Sequence, residues 1–134
     1  MKFCTAITCM DGRIQIPAID YLQEFFKADY VDIISEAGPN AILANKTDPN
    51  LLQSIYNRVD ISVGQHHSVG IALIGHHDCA GNPSSDSKQQ QQIVNGVKCI
   101  QQAYAGSQVI GLWVDKTWTP NCLTHVSAKQ QRKK

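Results

Sequence analysis

Long apolar runs, a charge excess, regular cysteine spacing and internal repeats are all missing from this 134-residue chain. No stretch approaches the roughly 20 apolar residues that a membrane-spanning helix requires. A formal net charge of +1 gives no ground for a nucleic-acid or acidic-membrane partner acting across the whole surface. Five cysteines, an odd number at irregular intervals, do not make the framework of a small secreted disulfide protein, so reduced thiols or metal ligands are expected instead. The first residues are only weakly like a signal peptide, because threonines interrupt the apolar run and Asp11 and Arg13 follow at once. The expectation is a soluble, cytoplasmic protein.

With 43% hydrophobic and 17% charged residues, the chain can bury one sizeable core and is too short for two ordinary domains. A single domain over residues 1–128 is expected, without a linker. Residues 129–134 add Lys129, Arg132, Lys133 and Lys134, while the other 128 residues hold eight basic and eleven acidic side chains, a net −3. That basic tail is expected to be solvated and disordered, and no function is assigned to it.

Apolar segments alternate between two periods. Phe3 to Thr8 predicts a buried strand, and Pro17 marks a helix whose Ala18, Leu22, Phe25 and Phe26 share one face. Tyr30 to Ser35 predicts a second strand ended by the turn Glu36–Asn40. Asp48 and Pro49 cap and open a helix that carries Leu52, Ile55, Tyr56, Val59 and Val63 to about Gly64 or His67. Val69 to Ile74 is almost wholly apolar, as in a central strand covered on both faces.

After a loop over Asn82–Ser87, a helix from Lys88 presents Ile93, Val97, Ile100 and Tyr104, with Gln89 to Gln92 expected on its solvated face. Gly106 stops it, Gln108 to Asp115 gives a fourth strand, and Cys122 to Ser127 a short edge strand. The alternation implies an α/β, three-layer fold: a mainly parallel central sheet of four to five strands flanked by helices.

Two strand ends carry metal-competent residues. Cys9 closes the first strand, and His76 and Cys79 follow the third. In open α/β sheets, sites form outside the carboxyl ends of strands near the point where strand order reverses. Two thiolates and one imidazole suit zinc, and three protein ligands leave a fourth position open. Asp11 and Arg13 follow Cys9 at two and four residues, where a bidentate arginine would hold a carboxylate ionised beside the metal. His77 and Asp78 are taken as exposed loop residues, and His66 and His67 as residues of a helix end. Cys4, Cys99 and Cys122 are taken as small buried hydrophobes.

Thr8-Cys9-Met10-Asp11-Gly12-Arg13 resembles the Cys-x-Asp-x-Arg motif of the β-class carbonic anhydrases, and His76-His77-Asp78-Cys79 their His-x-x-Cys motif. Ala37-Gly38-Pro39-Asn40 is similar to the family's Ala-Gly-Asn turn. The resemblance covers roughly residues 3 to 115. It implies one zinc ion per chain held by Cys9, His76 and Cys79. It implies also that Asp11, partnered by Arg13, orients a zinc-bound hydroxide that hydrates carbon dioxide to bicarbonate. A homodimer or higher homo-oligomer is implied as well. Two alternatives stand beside this: hydrolysis of carbonyl sulfide or carbon disulfide on the same site, and a non-catalytic zinc-binding module.

Overall fold

The computed structural model describes residues 1–129. The basic tail expected to be disordered lies, from residue 130 onward, outside the described residues. Nine elements follow in order: β1 (Phe3–Cys9), α1 (Gln15–Phe26), β2 (Tyr30–Glu36), α2 (Pro39–Asn45), α3 (Pro49–Gln65), β3 (Ile71–His76), α4 (Asp86–Ala103), β4 (Val109–Val114) and β5 (Pro120–Val126). The five strands form one sheet in the order β2-β1-β3-β4-β5. The first four run parallel, and β5 returns antiparallel along β4 with a bulge opposite Gly111 and Leu112.

Side-chain alternation along the strands feeds two cores. Ala6, Ala72, Ile74, Ile110 and Leu112 meet Ile14, Ala18, Leu22 and Phe26 of the α1 segment on one face. Ile7, Ile71, Leu73 and Val109 meet Leu43 of α2, Ile55 and Val59 of α3, and Ile93, Val97 and Ile100 of α4 on the other. β3 and β4 are buried at every residue, which explains their near-continuous apolar sequence. Each fully buried Ile or Leu contributes about 2 kcal/mol relative to exposure. The expected three-layer α/β architecture is the one observed.

Local chemistry sets the helix ends. The Asp48 carboxylate accepts the Leu51 N–H at 3.0 Å and Pro49 takes the first helical position of α3. Ser85 caps α4 by accepting the Lys88 N–H at 3.2 Å, so the helix begins two residues before Lys88. α1 ends on Lys27 in the left-handed region, where its N–H reaches the Gln23 carbonyl.

Four expectations need correction. The turn over Glu36–Asn40 contains the start of α2, because Pro39 occupies a first helical turn where no N–H is needed. β3 is displaced to Ile71–His76, which makes His76 the last strand residue rather than part of the following loop. Gln89 and Gln92 are buried, not solvated: Gln92 Oε1 accepts from Asn82 Nδ2 at 2.7 Å and Asn40 Nδ2 at 3.3 Å, and Gln89 Oε1 from Asn40 Nδ2 at 3.4 Å. Cys4 is buried as expected, but Cys99 is half-buried and Cys122 exposed on the edge strand.

The amide cluster ties the β2–α2 connection to the loop after β3. Gly38, at φ +65°, makes the same junction tight: a Cβ there would lie 2.6 Å from Asn82 Cβ and 2.9 Å from the Gly81 carbonyl carbon and oxygen. Backbone cannot yield as a side-chain tip can, and the left-handed conformation adds strain of its own. Gly38→Ala is expected to destabilise the chain by about 3 kcal/mol, read as a lowered urea midpoint at unchanged m-value. A variant that unfolds with the wild type would refute this packing.

Candidate metal centre

Strand order reverses between β1 and β3: from β1 the chain crosses to β2 on one side, and β3 then lies on the other. A crevice therefore opens at the carboxyl ends of these two strands. Cys9 ends β1 and His76 ends β3, both facing this crevice. Cys79 arrives through a sharp turn in which Asp78 adopts φ +58° and the Asn82 N–H returns to the Cys79 carbonyl at 3.3 Å. The His77 N–H, bonded to the Val114 carbonyl at 3.0 Å, carries the β3–β4 ladder past the strand's end and steadies this turn.

Cys9 Sγ and Cys79 Sγ lie 3.7 Å apart, and with a ring nitrogen of His76 they form a cluster whose donor atoms are all within 4.8 Å of one another. All three residues are buried. His76 Nδ1 donates to the His77 carbonyl at 2.7 Å, which leaves Nε2 as the lone-pair nitrogen. That Nε2 is buried without a hydrogen-bond partner. A buried unpaired imidazole nitrogen is costly, and a cation between it and two thiols would satisfy it. The residues therefore fit a metal ion: the donor types suit zinc and the cluster could hold one.

Neighbouring dipoles prepare the sulfurs. Burial pushes the Cys9 thiol up, but the adjacent His76 imidazole and the Gly38 and Asp11 backbone N–H groups outweigh it and bring the thiol down to about 7. Cys79 is raised, by burial first and then by the charge of Cys9, with the N–H groups of Asn82 and Gly81 opposing. Burial disfavours the His76 cation, yet the Cys9 thiol and His77 carbonyl raise its pKa on balance.

Asp11 and Arg13 form an ion pair beside this cluster. The Arg13 N–H donates to Asp11 Oδ1 at 2.9 Å, Nε to the same oxygen at 3.1 Å, and Nη2 to Oδ2 at 2.8 Å. These bonds, against a smaller opposing effect of burial, lower the Asp11 carboxyl to about 2. Asp11 Oδ2 is 3.9 Å from His76 Nε2, so the carboxylate borders the donor cluster without belonging to it.

Several contacts carry no mark in the sequence. Gln15 Nε2 donates to the Cys9 and Asp11 carbonyls, both at 2.8 Å, fixing the loop that leaves β1. Arg13 reaches Asp78, Nη1 to Oδ2 at 3.3 Å and Nη2 to the carbonyl at 3.1 Å, so Asp78 is more than an idle loop residue. The Trp118 ring lies under the Arg13 guanidinium, 4.4 Å from centroid to Cζ. His77 instead pairs with Asp86 at 2.9 Å.

Of the donor cluster, Cys9 borders a cleft of about 390 Å³, which is lined also by Met10, Asp11, Ala37, Ala80 and Gly81. A separate hollow of about 210 Å³ lies between β2 and α3, where Ser62 Oγ and His66 Nδ1 both bond Asp32 Oδ2 at 2.7 Å. Both hold the carboxylate rather than each other, so the serine and the histidine there do not form a nucleophile–base pair. No described helix is long and apolar enough to cross a membrane.

Residues 1–124 match a protein-family model described as "Putative carbonic anhydrase". A comparison with curated protein sequences found no significant match. Among solved structures, one of two tetrameric β-carbonic anhydrases from the filamentous ascomycete Sordaria macrospora aligns at a TM-score of 0.64 with 16% identity, over 94% of this chain and 82% of that one. Carbonic anhydrase from Glaciozyma antarctica gives a TM-score of 0.64, 14% identity, and coverage of 90% and 81%. The enzyme from Streptococcus mutans gives 0.60, 12%, and coverage of 90% and 81%. The fold is thus that of the β-carbonic anhydrases. The chain belongs to the carbonic anhydrase family that the matching model describes.

Proposed function

We propose that this chain is a zinc-dependent carbonic anhydrase that reversibly hydrates carbon dioxide to bicarbonate, with one zinc ion per chain held by Cys9, His76 and Cys79. The observation that carries this reading is the unpartnered, buried Nε2 of His76 converging with two thiols at a strand-order switch. When bound, zinc supplies the Lewis acidity that makes a water molecule nucleophilic near neutral pH. Two thiolates already offset the ion's charge, so the polar groups around the site matter more than they would beside three imidazoles.

Asp11, ionised far below neutral pH, can only accept a hydrogen bond, and its Oδ2 faces the cluster. Its task is to hold the proton of the attacking water and so aim a lone pair into the cleft. Arg13 holds that carboxylate through two parallel bonds and would keep it from taking up a bound ion itself. Met10, Ala37, Ala80 and Gly81 line the cleft with small or apolar surface, suited to a small, linear, apolar substrate. A cluster of three protein donors would leave a bound zinc a further position, which favours catalysis over a purely structural ion.

A homodimer or larger homo-oligomer is part of the proposal, supported by the tetrameric Sordaria neighbours. The donor thiols must stay reduced, which fits a cytoplasmic setting. Stopped-flow carbon dioxide hydration by fully zinc-loaded protein at alkaline pH tests the activity. A kcat/KM above about 10⁴ M⁻¹s⁻¹ is expected. Background rates from protein carrying a full complement of zinc would overturn the catalytic reading.

A further inference from the structure

Arg13 holds Asp11, and something must in turn hold Arg13. Its side chain is 45% exposed and its second carboxylate partner, on Asp78, is 73% exposed. The Asp11 side chain is 19% exposed, but the open Asp78 offers the same guanidinium a second, screened carboxylate, and neither ion pair restrains its faces. A planar guanidinium makes its hydrogen bonds within its own plane, however, and leaves its faces free to stack.

We propose that Trp118 is a positioning residue for the metal centre: its indole clamps the Arg13 guanidinium from below, in the orientation that keeps Nε and Nη2 on Asp11. The inference rests on the carbonic anhydrase reading above and deepens it. The ring centroid is 4.4 Å from Arg13 Cζ, and the same ring lies 6.4 Å from the His76 ring, tilted by 44°. Trp118 therefore sits against both a proposed ligand and the residue that orients the proposed acceptor. Stacking on the cation does not compete with the in-plane bonds to Asp11, so the two restraints add.

The ring is itself firmly mounted. Trp118 has φ +60°, a region that bulky residues rarely enter, in the turn between β4 and β5. That turn is wound around Asp115, whose Oδ1 accepts the Thr117 N–H at 2.9 Å, Thr117 Oγ1 at 2.6 Å and the Thr119 N–H at 3.1 Å. Asp115 Oδ2 accepts Asn121 Nδ2 at 3.1 Å, and the Trp118 N–H returns to the Asp115 carbonyl at 2.8 Å. The clamp is thus anchored to β4 and β5, and through them to β3 and His76. With the ring gone, Arg13 is free to pivot toward Asp78. Asp11, whose Oδ2 is 3.9 Å from His76 Nε2, would then be free to compete with an outside ligand for an ion held by the cluster.

The direct test uses the metal-free, ¹⁵N-labelled full chain and follows solvent exchange at Arg13 Nε–H by NMR. Trp118→Ala is expected to speed this exchange about tenfold, whereas Trp118→Phe, which keeps an aromatic face, is expected to stay within about threefold of wild type. Unchanged exchange in Trp118→Ala overturns the clamp, as does a Trp118→Phe variant that folds yet behaves like the alanine variant. A second arm titrates the cobalt-loaded chain with azide and reads the visible spectrum. Azide affinity is expected to fall about tenfold in Trp118→Ala and to recover when Asp11→Ala is added. Failure to recover overturns the competition by Asp11. If the wild-type chain gives no thiolate-to-cobalt absorption, the metal-centre reading fails, and the exchange arm still decides whether Trp118 clamps Arg13.

Discussion

Cys79→Ser should lower zinc affinity by about three orders of magnitude, and His76→Ala by at least as much, while the metal-free chains stay folded. The serine hydroxyl replaces the thiol with little change in volume but offers no thiolate at neutral pH. Removing His76 discards the buried nitrogen that has no other partner. Competition against a chromophoric chelator gives the affinities, and thermal unfolding of the metal-free proteins reports the fold. Because Cys79 is raised by burial and by Cys9, it keeps its proton at neutral pH until a cation displaces it. Affinity should therefore fall as pH falls, about tenfold per unit for each proton displaced. Wild-type affinity in Cys79→Ser would remove that residue from the metal site.

Arg13→Ala should cost about a hundredfold in kcat/KM with zinc content unchanged, since a catalytic group displaced by about 1 Å loses that much. Protonation of Asp11 is not the cause: even at the ordinary carboxylate value of 3.8, the side chain is ionised at neutral pH. What is lost is orientation. Arg13→Lys should rescue little, because an ammonium cannot make the two parallel bonds that Nε and Nη2 make. A rate within about threefold of wild type would mean that Asp11 is held in place without Arg13.

The same substitution has a signature in stability. Asp11 is lowered from 3.8 to about 2, so its pairing contributes above pH 3.8, and the contribution is lost as pH falls through that window to about 2. Wild type and Arg13→Ala should accordingly converge in stability toward pH 2 and differ above pH 4.

How much of this was legible beforehand follows from the range of the forces involved. The apolar runs of β1, β3 and β4 declare themselves because burial on both faces demands hydrophobic residues at successive positions. Asp48-Pro49 declares α3 because capping is local. Cys9, His76 and Cys79 could be paired because parallel crossovers bring strand ends together on one side of a sheet. Where distant partners decide, the sequence is mute. Gln89 and Gln92 look solvated until Asn40 and Asn82 are seen to meet them, and Gln15, ahead of the expected helix start at Pro17, has nothing to mark it until its amide is found on two carbonyls. Pro39 reads as part of a turn because Gly-Pro punctuates a chain, yet proline suits a first helical position equally well.

The 70-residue separation between Cys9 and Cys79 would make a bound ion a fastening as well as a reactive centre. One sulfur ends β1 while the imidazole and the second sulfur belong to β3 and the turn beyond it. A cation joining them would close a loop containing α1, β2, α2, α3 and β3, about half of the chain. It would bind only after the central strands have paired, so occupancy would report on assembly of the whole sheet, and loss of the ion would loosen elements that never touch it.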